Sequence, residues 1–143
     1  CDPALLEPAL DCGVKVIAAH SGTRSGLRNE PDYYGTFAAL ARRYPNCYGD
    51  AAAFATPVRI RHISRLLGDP EVLAKTVHGS DYPVPVLAWA GLGRLPWREI
   101  RRIGAIPSPL ERDVAIKRAA GLPEAHFRTL AGLLPERAWR GRR

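Results

Sequence analysis

The chain has 143 residues, 46% of them hydrophobic and 24% charged, which suits one globular domain with a real core. No apolar run approaches the roughly 20 residues of a membrane-spanning helix, so the sequence predicts no membrane span and no membrane partner. The net charge is +7, and the excess lies entirely after residue 93: residues 1–93 contain nine basic and nine acidic residues, and residues 94–143 contain twelve and five. Because acidic residues interleave with the basic ones there, we expect solvated helix faces and no nucleic-acid partner.

The ends and the cysteines give two further expectations. The sequence starts with Cys1 and contains no Met, so we expect residues 1–143 to be a single incomplete domain, part of a longer protein. Cys1, Cys12 and Cys47 are odd in number and lack metal-ligand spacing. This cysteine usage favours a reducing compartment and therefore a cytoplasmic location.

Short β-branched runs and stretches at helical spacing alternate along the first 80 residues. The predicted elements are strands over 14–19, 46–50 and 75–79, helices over 31–43 and 56–67, and a helical turn from Asp69-Pro70. Consecutive parallel strands need a crossover long enough to return, which these helices provide. The sequence therefore predicts an α/β protein with parallel strands.

The pattern after residue 83 is helical. A helix is predicted over 96–103, with an acidic residue early and arginines late. Ser108-Pro109-Leu110-Glu111 has the form of a capping box and predicts a helix that ends near Ala120. Gly121 suits the position after that helix, and Pro123 begins a last helix that ends near Leu134.

Polar side chains lie at the carboxyl end of each predicted strand: His20, Asp50 and Asp81. In parallel α/β folds, catalytic groups gather at the carboxyl ends of strands. We expect His20 and Asp81 to be catalytic, because an imidazole and a carboxylate can exchange protons with a water or bind a metal. Asp50 and Ser80 are predicted to support this pair without touching the substrate.

Arginines in the loop after His20 are the predicted substrate-binding residues. Arg24 and Arg28 suit a substrate carboxylate because a guanidinium binds a carboxylate through two parallel hydrogen bonds. A solvated loop is the alternative for both. His62 and His126 are predicted to be surface or packing residues. His78 is predicted to lie within the third strand and to be buried, with no part in catalysis.

Gly79-Ser80-Asp81-Tyr82-Pro83 is the most specific of four segments that together resemble a known family. Over 16–22, 44–50, 78–83 and 113–123, the chain resembles the second half of the amidohydrolase-related family of metal-dependent hydrolases. The resemblance covers residues 5–134. It implies a (β/α)₈ TIM barrel, with the three predicted strands as about strands six to eight, so the expected fold is the incomplete C-terminal portion of such a barrel.

The resemblance also implies a metal centre. Members of the family hold a divalent metal, often zinc, with a His-x-His pair, a further histidine and an aspartate. By its motif, His20 matches the histidine that contacts the reactive water or substrate, and Asp81 matches the aspartate that is metal ligand and proton acceptor. The sequence contains no His-x-His, so most ligands of this zinc would come from outside the chain.

Three functions remain open from the sequence. The first is hydrolysis of a small-molecule amide, ester or lactone by a metal-activated water, in the intact protein and not in this chain alone. The second is non-oxidative decarboxylation of an aromatic or related carboxylic acid on the same metal centre. The third is a non-catalytic binding module that uses the basic last third. An incomplete barrel would leave unpaired strand edges, so self-association into a homo-oligomer is also expected.

Overall fold

The computed structural model describes residues 2–24 and 30–134. Within these ranges the chain forms three β-strands and seven α-helices, joined by loops and four short 3₁₀ helices. In chain order they are α1 (Glu7–Asp11), β1 (Val16–Ala18), α2 (Tyr34–Arg43), β2 (Cys47–Asp50), α3 (Arg61–Leu67), α4 (Pro70–Ala74), β3 (Thr76–Val77), α5 (Trp97–Gly104), α6 (Pro109–Ala119) and α7 (Thr129–Leu133).

Two helices begin where the sequence predicts, because a side chain caps a free backbone amide there. Asp69 Oδ1 accepts a hydrogen bond from the Val72 amide at 3.3 Å at the start of α4. Ser108 Oγ accepts one from the Glu111 amide at 3.3 Å at the start of α6. The predicted last helix is instead divided into a 3₁₀ helix, Glu124–Arg128, and the short α7.

The three strands form one parallel sheet in the order β1-β2-β3. On one face of the sheet α2 packs directly over β2. A Cβ added at Gly49 would lie 2.4 Å from Phe37 Cζ and 2.5 Å from Ser21 Oγ. A side chain does not fit at this position, so Gly49 allows the helix and the loop after β1 to approach the strand closely.

The opposite face of the sheet is less covered. Ile17 pairs with Tyr48 across β1 and β2, and its side chain is 41% exposed. Tyr48 is half-buried, whereas Val77 at the other edge is buried. The β1 edge therefore faces a cavity and the β3 edge lies against the C-terminal helices.

The expectation of the C-terminal portion of a (β/α)₈ TIM barrel is wrong. The strands contain only three, four and two residues and form an open sheet with β1 and β3 at its edges. After β3, the described part of the chain continues through three α-helices without another strand. The chain is a small α/β domain, and its α/β class and parallel strands are as predicted. The alternation of strands and helices could not distinguish an open sheet from a closed barrel, because both architectures share it.

The core lies between the sheet and the helices. Its largest fully buried apolar side chains are Phe37, Phe54, Ile63, Leu66, Ile103 and Ile116. Burying a side chain of this size stabilises a fold by about 1.5–3 kcal/mol, so this cluster fixes the positions of the strands and of the loops that follow them. In the described ranges, every helix is too short or too polar to cross a membrane.

Candidate active site

The carboxyl end of β2 and the loops after β1 and β3 bring Asp50, His20 and Asp81 together. His20 Nε2 lies 3.9 Å from Asp81 Oδ2, and His20 Nδ1 lies 3.8 Å from Asp50 Oδ1. The imidazole is therefore flanked by a carboxylate on each side. We call these three residues the His20 site, and all three side chains remain partly open to solvent, between 20% and 33% exposed.

The backbone is strained at this site. Four non-glycine residues in the described ranges have a positive φ: His20 at 53°, Ser21 at 50°, Ala53 at 58° and Asp81 at 65°. All four lie in the loops that follow the strands. An L-residue in this left-handed region costs roughly 1–2 kcal/mol. Strain of this kind persists where surrounding contacts enforce it, and it concentrates at functional sites.

Asp50 ties the first two loops together. Its Oδ1 accepts hydrogen bonds from the backbone amides of His20, at 2.8 Å, and Ala52, at 2.9 Å. In return, Ser21 Oγ donates to the Asp50 carbonyl at 2.8 Å. These bonds explain how His20 and Ser21 are kept in left-handed conformations, and they place the Asp50 carboxylate behind the histidine ring.

The hydrogen bonds of His20 indicate which ring nitrogen carries the proton. Nδ1 lies 3.2 Å from the Ala52 carbonyl oxygen, which can only accept a hydrogen bond. We therefore assign the proton of the neutral ring to Nδ1. The lone pair of Nε2 is then free on the side that faces Asp81, where it can accept a proton.

The loop that carries Asp81 is anchored from behind. Lys117 Nζ donates a hydrogen bond of 2.6 Å to the carbonyl of Gly79. Within the loop, Ser80 Oγ accepts from the Tyr82 amide at 3.2 Å, and the Asp81 carbonyl accepts from the Val84 amide at 2.9 Å. Both ends of the turn around Asp81 are thus held by polar contacts.

Lys117 is itself part of a buried ion pair. Its Nζ lies 2.7 Å from Asp113 Oδ2, one helical turn earlier on α6, and both side chains are fully buried. Burial lowers the pKa of Lys117 and raises the pKa of Asp113 to about 6, each against the pull of the partner's charge. Sequence reasoning missed this pair because a basic residue four positions after an acidic one is typical of a solvated helix face.

A cavity of about 600 Å³ opens beside His20. Its volume lies within the range of small-molecule sites. The side chains that line it include Leu6, Ile17, His20, Arg24, Tyr33 and Arg59. The cavity therefore combines an apolar wall with the His20 imidazole and the guanidinium groups of Arg24 and Arg59.

Arg24 lies on this cavity, as a substrate-binding residue would, whereas Arg28 falls outside the described residues. Ser80 lies beside Asp81 and contacts the backbone of Tyr82. Arg59, which the sequence did not single out, is placed on the cavity by the loop after β2. No spacing signal marks Arg59, since it stands alone in a loop before α3.

The other three histidines lie away from the His20 site. His62 and His126 are 1% and 2% exposed, and the side chain of His78 is 23% exposed. Burial lowers the pKa of each to about 4, so all three are neutral near pH 7. They are packing residues and not surface residues, and His78 follows β3, which ends at Val77.

The zinc implied by the resemblance does not fit the side chains that the structure describes. Protein zinc sites ordinarily use three or more side-chain ligands. Across residues 2–24 and 30–134, no group of three His, Cys, Asp or Glu side chains is arranged to hold a metal ion. His20 and Asp81 supply two donors, so we derive no step through a metal.

No family model, no curated protein and no solved structure matches this chain. The geometry of the His20 site, the strain of its loops and the adjoining cavity are therefore the basis for a functional assignment. Together they place His20 on the lining of a cavity of small-molecule size, with Asp50 and Asp81 beside its ring.

Proposed function

We propose that this chain carries the active site of a hydrolase for a small-molecule ester, lactone or amide. The observation that carries the proposal is the distance of 3.9 Å between His20 Nε2 and Asp81 Oδ2 beside a cavity of about 600 Å³. In this proposal His20 is the general base and Asp81 orients the attacking water. The resemblance to the amidohydrolase-related family points to the same two residues.

The separation of the two atoms suits a shared water molecule. A hydrogen bond to a water is about 2.8 Å long, so one water can bond to both atoms across a gap of 3.9 Å. Asp81 Oδ2 and His20 Nε2 would each accept one of its protons. The water oxygen would then direct a lone pair away from both, towards a carbonyl carbon in the cavity.

The proposed step moves one proton and forms one bond. As the water oxygen bonds to the carbonyl carbon, its O–H bond breaks and the proton passes to His20 Nε2. The resulting imidazolium is stabilised by Asp81 on one side and by Asp50 behind the ring. When the tetrahedral intermediate collapses, His20 returns the proton to the leaving oxygen or nitrogen, which restores the neutral ring.

The test uses protein produced from the complete open reading frame that encodes this chain. It is assayed with p-nitrophenyl esters, aromatic lactones and anilides. General base catalysis contributes about 10²–10⁴-fold, so His20→Gln is expected to lower kcat by at least about 100-fold. Asp81→Asn keeps the size of the side chain but removes its charge, and a comparable loss is expected.

Asp11→Asn is the matched control for Asp81→Asn. Asp11 accepts a hydrogen bond of 2.7 Å from the Tyr44 hydroxyl, which an amide oxygen also accepts, and it lies outside the cavity lining. Its turnover should equal that of the wild type. Absence of turnover with all three substrate classes, or equal kcat for wild type and His20→Gln, would overturn the proposal.

Decarboxylation is the second candidate because Arg24 lines the same cavity as His20. A guanidinium there suits the carboxylate of an aromatic acid. Release of CO₂ from hydroxybenzoic acids, without turnover of esters, lactones or anilides, would replace the hydrolase proposal with this one.

We also propose a cytoplasmic location. Cys12 and Cys47 both carry free thiols, the first exposed and the second buried. Free thiols persist in a reducing compartment. Fractionation of cells that express the complete gene product, with immunodetection, tests this placement.

A further inference from the structure

Arg59 is a half-buried arginine on the lining of the cavity, and its surroundings differ from those of the arginines that pair with carboxylates. Arg42, Arg65 and Arg118 each form an ion pair with a carboxylate. Among the described residues, Arg59 forms no ion pair within 4 Å, and its Nε is buried without a hydrogen-bond partner. A buried donor of a charged group that is left without a hydrogen-bond partner is unfavourable, so a guanidinium in this state favours the binding of a partner.

Local hydrogen bonds and a buried neighbour hold the backbone at Arg59. Its amide donates to the Thr56 carbonyl at 3.2 Å, and Thr56 Oγ1 donates to the Ala53 carbonyl at 2.7 Å. The next residue, Ile60, is 4% exposed and belongs to the core. The backbone that carries Arg59 is therefore anchored to the core, and a ligand would have to order only the side chain.

The charges around Arg59 keep it positive. Burial lowers the pKa of Arg59, and the carboxylates of Asp81, Glu30 and Asp50 oppose that shift. An arginine remains protonated in proteins. The cavity lining therefore includes the positively charged guanidinium of Arg59 together with His20, Arg24 and the acidic residues Asp2 and Glu30, while the Nε of Arg59 is buried.

We infer that Arg59 binds an anionic group of the ligand, a carboxylate on an apolar body, in the cavity beside His20. Pro3, Leu6 and Ile17 supply an apolar wall for the body of such a ligand, and Arg24 lies on the same cavity as a second cation. A guanidinium matches a carboxylate in geometry, because two parallel N–H groups meet its two oxygens. This inference rests on the proposed function only in naming the ligand a substrate.

The binding test uses benzoate and its neutral counterpart benzamide, titrated calorimetrically into the wild-type protein. Benzoate is expected to bind and Arg59→Met to weaken it roughly 10- to 100-fold, the worth of a hydrogen bond to a charged group. Benzamide binding should change less than about 2-fold, since it lacks the charge. Arg61→Met is the matched control, since Arg61 is exposed two residues away and lies outside the cavity lining, and it should leave benzoate affinity unchanged.

Arg59→Lys is a second variant that keeps the test interpretable if Arg59→Met does not fold. It keeps the charge and loses the paired donors, so it should bind benzoate with intermediate affinity. Any of three results would overturn the inference. The wild type, Arg59→Lys and Arg59→Met bind benzoate with equal affinity, or Arg59→Met loses as much affinity for benzamide as for benzoate, or the wild type does not bind benzoate.

His20→Gln separates this inference from the proposed function. If it retains benzoate binding and loses hydrolysis, both stand. If His20→Gln retains hydrolysis while Arg59→Met loses benzoate binding, the hydrolase mechanism fails and the anion site remains. If it loses hydrolysis while Arg59→Met binds benzoate like the wild type, the anion site fails alone.

Discussion

The ammonium group of Lys117 donates a hydrogen bond of 2.6 Å to the carbonyl of Gly79, which lies two residues before Asp81. The lysine is fully buried and is paired with Asp113 at 2.7 Å. A helix from the far end of the chain thereby fixes the loop that presents the carboxylate of the His20 site. The Asp113–Lys117 pair therefore links the stability of α6 to the position of Asp81.

Lys117→Met should strongly destabilise the fold. It leaves the Asp113 carboxylate buried without its partner, which typically costs about 3–5 kcal/mol. Urea denaturation of wild type and variant measures this loss. Arg118→Met, on the next position of α6, removes an exposed pair with Glu124 and should cost less than about 1 kcal/mol. Equal effects of the two variants would contradict a special role for Lys117.

The double variant Lys117→Met with Asp113→Leu separates stability from positioning. Replacing both members of a buried ion pair by apolar residues is often close to neutral, so most of the lost stability should return. The Gly79 carbonyl still lacks its donor, so kcat for hydrolysis should stay low. Recovery of both stability and kcat would mean that Lys117 does not position the Asp81 loop.

The sequence predicted the placement of the His20 site better than the overall architecture. His20, Asp50 and Asp81 were each expected at the carboxyl end of a parallel strand, and parallel strands in sequential order bring such positions to one edge. Closure into a barrel was wrong, because it depends on strand number and length. Neither quantity can be read from hydrophobic periodicity alone.

The contacts behind the site could not be read from the sequence. Asp113 and Lys117 stand four positions apart, a spacing that predicts a solvated pair, and only packing of α6 against the Gly79 loop buries them. Arg59 has no motif, and its role depends on a cavity formed by residues distant in the chain. His62 and His126 gave no sign that the fold buries them.

Gly49→Ala should destabilise the fold by about 1–3 kcal/mol. The added Cβ would lie 2.4 Å from Phe37 Cζ and 2.5 Å from Ser21 Oγ, so either the helix or the His20 loop must move. Gly35→Ala, inside α2 with nothing within 4 Å of the added Cβ, is the control. It should stabilise the protein by up to about 1 kcal/mol, since glycine is a poor helix former. Thermal unfolding followed by circular dichroism distinguishes the two.

Stability should fall as the pH drops from about 6.5 to about 4. Burial gives His62, His78 and His126 a pKa of about 4 in the folded state, against an ordinary value of 6.5. In that window the unfolded chain binds up to three more protons at these histidines. Asp113, with its pKa raised to about 6, opposes this by about one proton. The free energy of unfolding should therefore change by about 2–3 kcal/mol per pH unit near pH 5.

Urea denaturation at several pH values within this window measures the slope. His62→Gln removes one of the three groups and should lower the slope by about one proton, or about 1.4 kcal/mol per pH unit. A stability that does not change across the window would contradict the burial of these rings.

Asp50 supports the His20 site in two ways that substitution can separate. Its Oδ1 accepts hydrogen bonds from the His20 and Ala52 amides, and its charge lies 3.8 Å from His20 Nδ1. Asp50→Ala removes both contributions, so it should lower stability by about 1–3 kcal/mol and kcat as well.

Asp50→Asn keeps an acceptor oxygen for the two amides and removes the charge. It should therefore keep most of the stability and still lose kcat, because the imidazolium formed during proton transfer is no longer stabilised from behind. Thermal unfolding and ester hydrolysis on the same preparations decide between these contributions. If Asp50→Asn retains wild-type kcat, Asp50 acts through the backbone of His20 alone.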